Sequence, residues 1–392
     1  MLTLGEKLHT LVLFRFMTRR PPLRELSALL DTDPEDVRRL CEAYTDLCEA
    51  VFTFGGTLGD AIQDAMLEEE NLYSLYVLTG KGDADRLTRM LKREIRILED
   101  AERYDGAALR LTLGDRTLPA WETGKNDLEA AYLSWMADIP SHGFGMFARY
   151  HMFILNDEGK PEPILHPDPQ RFEDMIGYER EHALVQANTE AFLMGRPANN
   201  MLLYGDAGTG KSSTVKAVCN ELADRGLRLL ELKKNQLYLL PRLMDELAVN
   251  PLRFLLFIDD LTFSSDDRDF CALKAILEGG VNTRGSNILI CATSNHRHMV
   301  KETVADRTGE EINVSDRLQE IVSLSARFGL TVTFVRADAE LYRRIVLEMA
   351  VRAGLSADED ELIRDAEAFA IRAGGRNPRT ARQFIDCKLS GL

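Results

Sequence analysis

The chain has 392 residues, with 48 Lys plus Arg against 63 Asp plus Glu, for a formal net charge of −15. Hydrophobic residues at 45% and charged residues at 28% are ordinary globular proportions, which exclude a wholly disordered chain; at roughly 100–200 residues per domain, two or three domains are expected. No apolar run approaches the roughly 18 residues of a membrane span, and the Leu11–Phe14 run is broken at once by Arg15, so a cytoplasmic protein with no membrane partner is expected.

Over the first 135 residues the pattern is helical. Leu23, Leu26 and Leu30 recur at helical spacing, as do Val37, Leu40, Tyr44 and Leu47. Between them, Asp33 with Pro34 reads as a helix start. Two helices joined by a tight turn would suit a DNA reader, but the second presents Glu35, Asp36, Glu42 and Asp46 beside only Arg38 and Arg39. Residues 1–140 carry 17 basic and 26 acidic side chains, a poor match to a phosphate backbone. A protein partner is the first expectation for this region and DNA the second.

Phe144–Leu155 followed by Asn156-Asp-Glu-Gly predicts a hairpin, and Pro161, Pro163, Pro167 and Pro169 a stiff linker. Short apolar runs then alternate with helical stretches. Met201–Tyr204, Leu227–Leu232, Arg253–Ile258, Asn287–Thr293 and Leu330–Val335 predict five buried strands of a parallel sheet. Phe270–Leu277 is among the helices expected between them. After Ala337 the strands stop, and Glu340–Ala353, Asp358–Ala373 and Arg379–Leu389 predict a helical tail. The expected division is a helical partner domain over 1–135, hairpin and linker over 136–170, an α/β domain over 171–336 and the tail over 337–392. The six cysteines form no C-x-x-C pair and predict reduced core thiols.

Gly205-Asp206-Ala207-Gly208-Thr209-Gly210-Lys211-Ser212 fits G-x-x-x-x-G-K-[ST] in full, between a strand and a helix that continues through Ser213. Glycines let backbone N–H groups turn inward around phosphate oxygens, and the helix N-terminus adds partial positive charge. ATP with Mg²⁺ is the expected cofactor: Lys211 reaches the β- and γ-phosphates and Ser212 ligates the metal. The Arg253–Ile258 strand ends in Asp259-Asp260. Asp259 is expected to hold Mg²⁺ through water and Asp260 to polarise the attacking water, with Glu278 as an auxiliary carboxylate.

These residues resemble the AAA+ ATPases. Ala292-Thr-Ser-Asn295 is similar to the segment carrying the sensor-1 polar residue, which implies that Asn295 orients water near the γ-phosphate. Ser323-Leu-Ser-Ala-Arg327 resembles the arginine-finger segment, with Arg317 as the second choice; a finger implies a homo-oligomer with shared sites. Gly374-Gly-Arg-Asn-Pro-Arg379 resembles the start of the sensor-2 helix, which implies a role for Arg379 and makes the tail a lid. Ile176-Gly177-Tyr178 is similar to the segment that packs near adenine. His296 and His298, after Asn295, read as solvated loop residues. A closer resemblance, over roughly residues 170–392, is to a bacterial family of predicted AAA+ proteins classed as a domain of unknown function; it rests on Pro197–Asp206, Phe257–Phe263 and Leu273–Gly279 as well.

The fold class expected is therefore α/β: a P-loop AAA+ domain with a five-stranded parallel sheet and C-terminal helical lid, preceded by a mostly helical N-terminal domain. The implied activity is ATP hydrolysis coupled to remodelling or loading of a macromolecule. Two alternatives stand beside it: a DNA-acting, helicase-loader-like ATPase, and a nucleotide-gated scaffold with negligible hydrolysis. Many ATPases of this build carry Glu where this chain has the shorter Asp260, which motivates the scaffold.

Overall fold

The computed structural model describes residues 2–53, 57–68, 70–114, 117–261, 287–295 and 326–391, together with Leu273 and Leu277. It divides into two units, Met1–Arg149 and Tyr150–Leu392. The expected helix Phe270–Leu277, apart from those two leucines, lies outside the described residues, as do Glu278, His296, His298 and Arg317.

The first unit is helical around one core that includes Phe14, Tyr44, Leu47, Ile95, Leu98 and Tyr132. Its longest helix, Ala84–Glu102, starts on Asp83, whose side chain accepts the Arg86 N–H. This helix presents Glu94 inward, 1% exposed. The Glu94 carboxylate accepts the N–H groups of Val12, Leu13 and Phe14 at 2.9, 2.9 and 3.1 Å. The expected helix pair is present as Leu23–Asp31 and Val37–Thr53. Its second member is capped differently from the expectation: Asp36 accepts the Arg39 N–H, while Asp33 accepts that of Glu35 in the preceding turn. Pro34 therefore shapes the turn rather than the first helical turn. Arg38 and Arg39 pair with Glu42 on the helix and with Asp36 at its start, so each cation stands beside a carboxylate that a phosphate backbone would meet as well.

The second unit is built on a sheet of seven strands rather than five: β1 (Met152–Leu155), β2 (Pro161–Pro163), β3 (Met201–Gly205), β4 (Leu227–Leu232), β5 (Arg253–Ile258), β6 (Ile288–Ser294) and β7 (Leu330–Phe334). Their order is β2-β1-β4-β5-β6-β3-β7, parallel except for the β1–β2 pair. The two additional strands come from the segment expected to be hairpin and linker. Phe153 is fully buried and pairs with Leu230, so the hairpin is the edge of the sheet. Pro161 and Pro163 sit in the outermost strand, where a missing N–H costs no ladder bond. The hairpin is also shorter than the alternation suggested, since Met146–Arg149 is a turn of helix.

Leu255, Leu256, Phe257 and Ile258 of β5 are all buried, as a strand covered on both faces requires. Helices Glu179–Leu193 and Lys211–Leu222 pack their Val185, Val215 and Val218 onto the sheet. Three helices, Ala339–Arg352, Glu359–Arg372 and Pro378–Leu389, form a separate core around Tyr342, Ile345 and Phe384, and Ile176 joins it. Asp338, Asp358 and Asn377 cap these helices. Of the cysteines, Cys48, Cys219 and Cys291 are core thiols, whereas Cys41 is exposed.

Replacing Glu94 with Ala leaves three N–H groups without their acceptor, and each such bond to a charged group is worth about 1.5–3 kcal/mol. Urea unfolding followed through the first unit should show Glu94→Ala less stable by about 3 kcal/mol or more, with the unfolding of the second unit unchanged.

Candidate functional site

The strand order reverses at β3, which lies between β6 and β7 although β4 and β5 follow it in sequence. Open sheets bind ligands outside the carboxyl ends of strands at such a point. There the turn after β3 meets the ends of β5 and β6. Together with Ile176, Gly177, Arg379 and the lid they enclose a cleft of about 530 Å³, within the usual range of roughly 300–1,000 Å³ for ligand pockets.

The loop adopts its shape because glycine occupies the strained positions. Gly205 (φ 140°), Gly208 (80°) and Gly210 (96°) all have positive φ, and a Cβ on Gly205 would stand 1.9 Å from the Phe334 carbonyl oxygen. Ala207, Gly208, Thr209, Gly210, Lys211, Ser212 and Ser213 line the cleft. Gly205 and Asp206 do not. Their carbonyl oxygens instead accept from Lys211 Nζ at 2.9 and 2.8 Å. The Asp206 carboxylate accepts the Arg336 N–H at 3.2 Å, which ties the loop to the segment after β7.

Lys211 also donates to Asn295 Oδ1 at 2.9 Å, and Asn295 Nδ2 donates to Asp260 Oδ1 at 2.8 Å. Burial lowers the pKa of the Lys211 ammonium, opposed by the charges of Asp206, Asp260 and Asp259. A polyanion in the cleft would stabilise that cation further.

Ser212 Oγ donates to Asp259 Oδ1 at 2.7 Å. A hydroxyl beside a carboxylate is a hard-oxygen donor set, which suits magnesium and leaves its remaining positions to water and phosphate. Among the described residues no group of three or more His, Cys, Asp or Glu forms a metal cage. Ser212 and Asp259 are the described residues that could hold such an ion.

Asp260 has φ 49°. A non-glycine residue in this region carries a cost of about 1–2 kcal/mol, so its surroundings must hold it there. Thr293 does so, with its hydroxyl 2.5 Å from Asp259 Oδ1 and accepting the Asp260 N–H at 2.9 Å. Thr293 carries no signal in the sequence, because its partners follow another strand.

At the far end of the cleft, Gly177 (φ 84°) and Tyr178 (φ 62°) make a left-handed turn into the Glu179–Leu193 helix. Tyr178 Oη donates to the Val335 carbonyl, and burial pushes its phenol pKa up to about 12. On the lid side, Met349, Pro378, Arg379 and Arg382 line the cleft, and the Arg379 N–H donates to the Gly208 carbonyl at 3.3 Å. Arg327 lies elsewhere. It lines a separate groove of about 760 Å³ with Arg196, Arg253 and Asn199, among residues that precede β3 and β7 or begin β5 and β6.

His182 is a second residue without a sequence signal. It is 7% exposed, lines the cleft and lies 5.3 Å from the ring of Phe172. Its Nε2 has no hydrogen-bond partner among the described residues. Burial pushes its pKa down from 6.5 to about 4, with the Glu179 charge opposing. The unfolded chain therefore binds the proton more tightly. This contribution to stability is complete above pH 6.5 and declines as the pH falls towards 4. Thermal unfolding of the second unit should show that decline, and His182→Phe should flatten it by about 2–3 kcal/mol across the window.

A family model described as "Protein of unknown function (DUF815)" matches residues 148–391, more than half of the chain. No curated protein matches it. Among solved structures, a RuvB variant from Thermotoga maritima is 14% identical, with 57% of this chain and 67% of that one covered at a TM-score of 0.38. AMPPCP-bound DnaA from Aquifex aeolicus is 20% identical over 57% and 67%, at 0.40. A replication initiator DnaA bound to AMPPCP and single-stranded DNA is 20% identical over 61% and 67%, at 0.39. From the turn before β1 to the end of the last lid helix, the chain belongs to the DUF815 family.

Proposed function

We propose that this protein is an AAA+ ATPase that binds Mg-ATP between the sheet and the helical lid and hydrolyses it. The observation that carries the reading is convergence: Lys211, Ser212, Asp259, Asp260, Asn295 and Arg379 come from four segments and line one cleft. Phosphates would take the loop N–H groups and Lys211. Asp260, already hydrogen-bonded to Asn295, would accept a proton from the attacking water. Arg379 would follow the nucleotide from the lid.

Arg327 supports the oligomeric part of this reading. It lies away from its own subunit's phosphate loop, as a residue completing a neighbour's site must. A finger arginine stabilises the charge of phosphoryl transfer by on the order of 10³–10⁵ in rate. The partner is proposed to be a protein bound by the N-terminal unit, because the basic side chains of its Val37–Thr53 helix are already paired. No helix among the described residues is long and apolar enough to cross a membrane.

Steady-state phosphate release from the full chain tests the proposal. Lys211→Ala and Asp260→Asn should each lower turnover by about 10²-fold or more, and Arg327→Ala by about 10³-fold. Mixing Asp260→Asn with Arg327→Ala subunits should restore part of the activity, since one interface then holds both intact groups. Saturable ATP binding without phosphate release in wild type would replace the enzyme with a nucleotide-gated scaffold. Phosphate release stimulated by DNA and falling with salt would make DNA the partner.

A further inference from the structure

Three consecutive residues after β5 are tied to one residue of β6. The Thr293 hydroxyl is 2.5 Å from Asp259 Oδ1, the Asp260 N–H donates to that hydroxyl at 2.9 Å, and the Leu261 N–H donates to the Thr293 carbonyl at 2.7 Å. Thr293 is 2% exposed and pairs with Leu203 of β3 on its other side, so it is fixed between strands rather than on a loop. The register explains its reach. Ile258 is opposite Ala292, so the next residue of β6 stands opposite the first residue beyond the end of β5.

A threonine hydroxyl has one proton and two lone pairs. The proton goes to Asp259, because the carboxylate can only accept, and a lone pair then receives the Asp260 N–H. Asp259 Oδ1 is thereby occupied by Thr293, by Ser212 at 2.7 Å and by a longer contact from the Asp260 N–H at 3.1 Å. Among the described residues no hydrogen bond reaches its other oxygen, the one that would meet a ligand. The same hydroxyl holds the backbone of Asp260 at φ 49°, which aims that carboxylate at Asn295.

The geometry points to Thr293 as the positioning residue of this site. One buried hydroxyl orients the metal-holding carboxylate of Asp259 and, through the turn it imposes, the carboxylate of Asp260. This inference rests on the reading of the cleft as a Mg-ATP site. Valine keeps the shape of the residue and removes both hydrogen bonds, whereas serine keeps the hydroxyl.

The test uses the full chain with Thr293→Val, Thr293→Ser, Thr293→Ala and Lys211→Ala. Amide hydrogen exchange without nucleotide or metal should be at least about tenfold faster over 259–261 in Thr293→Val, with β3 unchanged and Thr293→Ser close to wild type. Binding of a fluorescent ATP analogue should then lose at least about fivefold of its magnesium enhancement in Thr293→Val, with magnesium-free affinity unchanged. Equal exchange and an equal magnesium response in wild type and Thr293→Val would overturn the inference. So would a uniform loss of protection with affinities falling alike with and without metal, the mark of a merely structural role. If Thr293→Val does not fold, Thr293→Ala against Thr293→Ser decides by the same two readouts. Wild-type binding indistinguishable from Lys211→Ala would overturn the nucleotide reading, and the magnesium role of Thr293 with it; faster exchange in Thr293→Val would then mark Thr293 as a structural residue.

Discussion

The Lys211 ammonium, almost wholly withdrawn from solvent, is held by the carbonyls of Gly205 and Asp206 and by the side-chain oxygen of Asn295. A cation in such a place costs several kcal/mol of lost hydration unless dipoles and opposite charges answer it. Here the answer comes from three strand ends at once. The loop after β3 supplies carbonyls, β6 supplies the amide, and Asp259 and Asp260 after β5 supply charge. The strand order, with β3 set beside β6 and β5 one strand further, is what brings them within range.

From that cation a hydrogen-bonded line runs outward. Lys211 donates to Asn295, Asn295 donates to Asp260, and the Asp260 backbone donates to Thr293, which is bonded in turn to Asp259. Ser212, the residue next to Lys211, closes the circuit by donating to Asp259. An ordered circuit of this kind limits the freedom of each member, so the carboxylates are oriented before any ligand arrives. Preorganisation of that sort is how a site stabilises charge without reorganising during reaction.

The lid and the Ile176–Tyr178 turn belong to the same logic at the other end of the cleft. Ile176 is packed into the lid's own core, and a side chain on Gly177 would press on Leu341 and Ile345 of the first lid helix. The Arg379 N–H reaches back to the phosphate loop. The wall of the cleft is therefore shared between sheet and lid, and the two are coupled wherever a ligand touches both.

What the sequence alone determined was local in character. The phosphate loop is eight consecutive residues whose backbone shape depends on its own glycines, so its motif carried its geometry. The strand β5 could be read because a strand buried on both faces is a continuous apolar run, and Asp259 and Asp260 followed as its end. The three lid helices were legible because helical periodicity is a pattern that recurs every three or four residues. Tertiary structure decided the rest, because it depended on residues far apart. Thr293 looks like an ordinary strand threonine until β5 and β6 are in register and its hydroxyl meets Asp259, 34 residues away. His182 looks like one polar residue on a helix until Phe172 and Phe334 bury it at the cleft. The prolines near 161 read as a linker because proline rejects a central strand; only pairing with β1 at the open edge of the sheet made them a strand. Asp33 and Asp36 compete for one cap, and backbone geometry, not composition, chose Asp36.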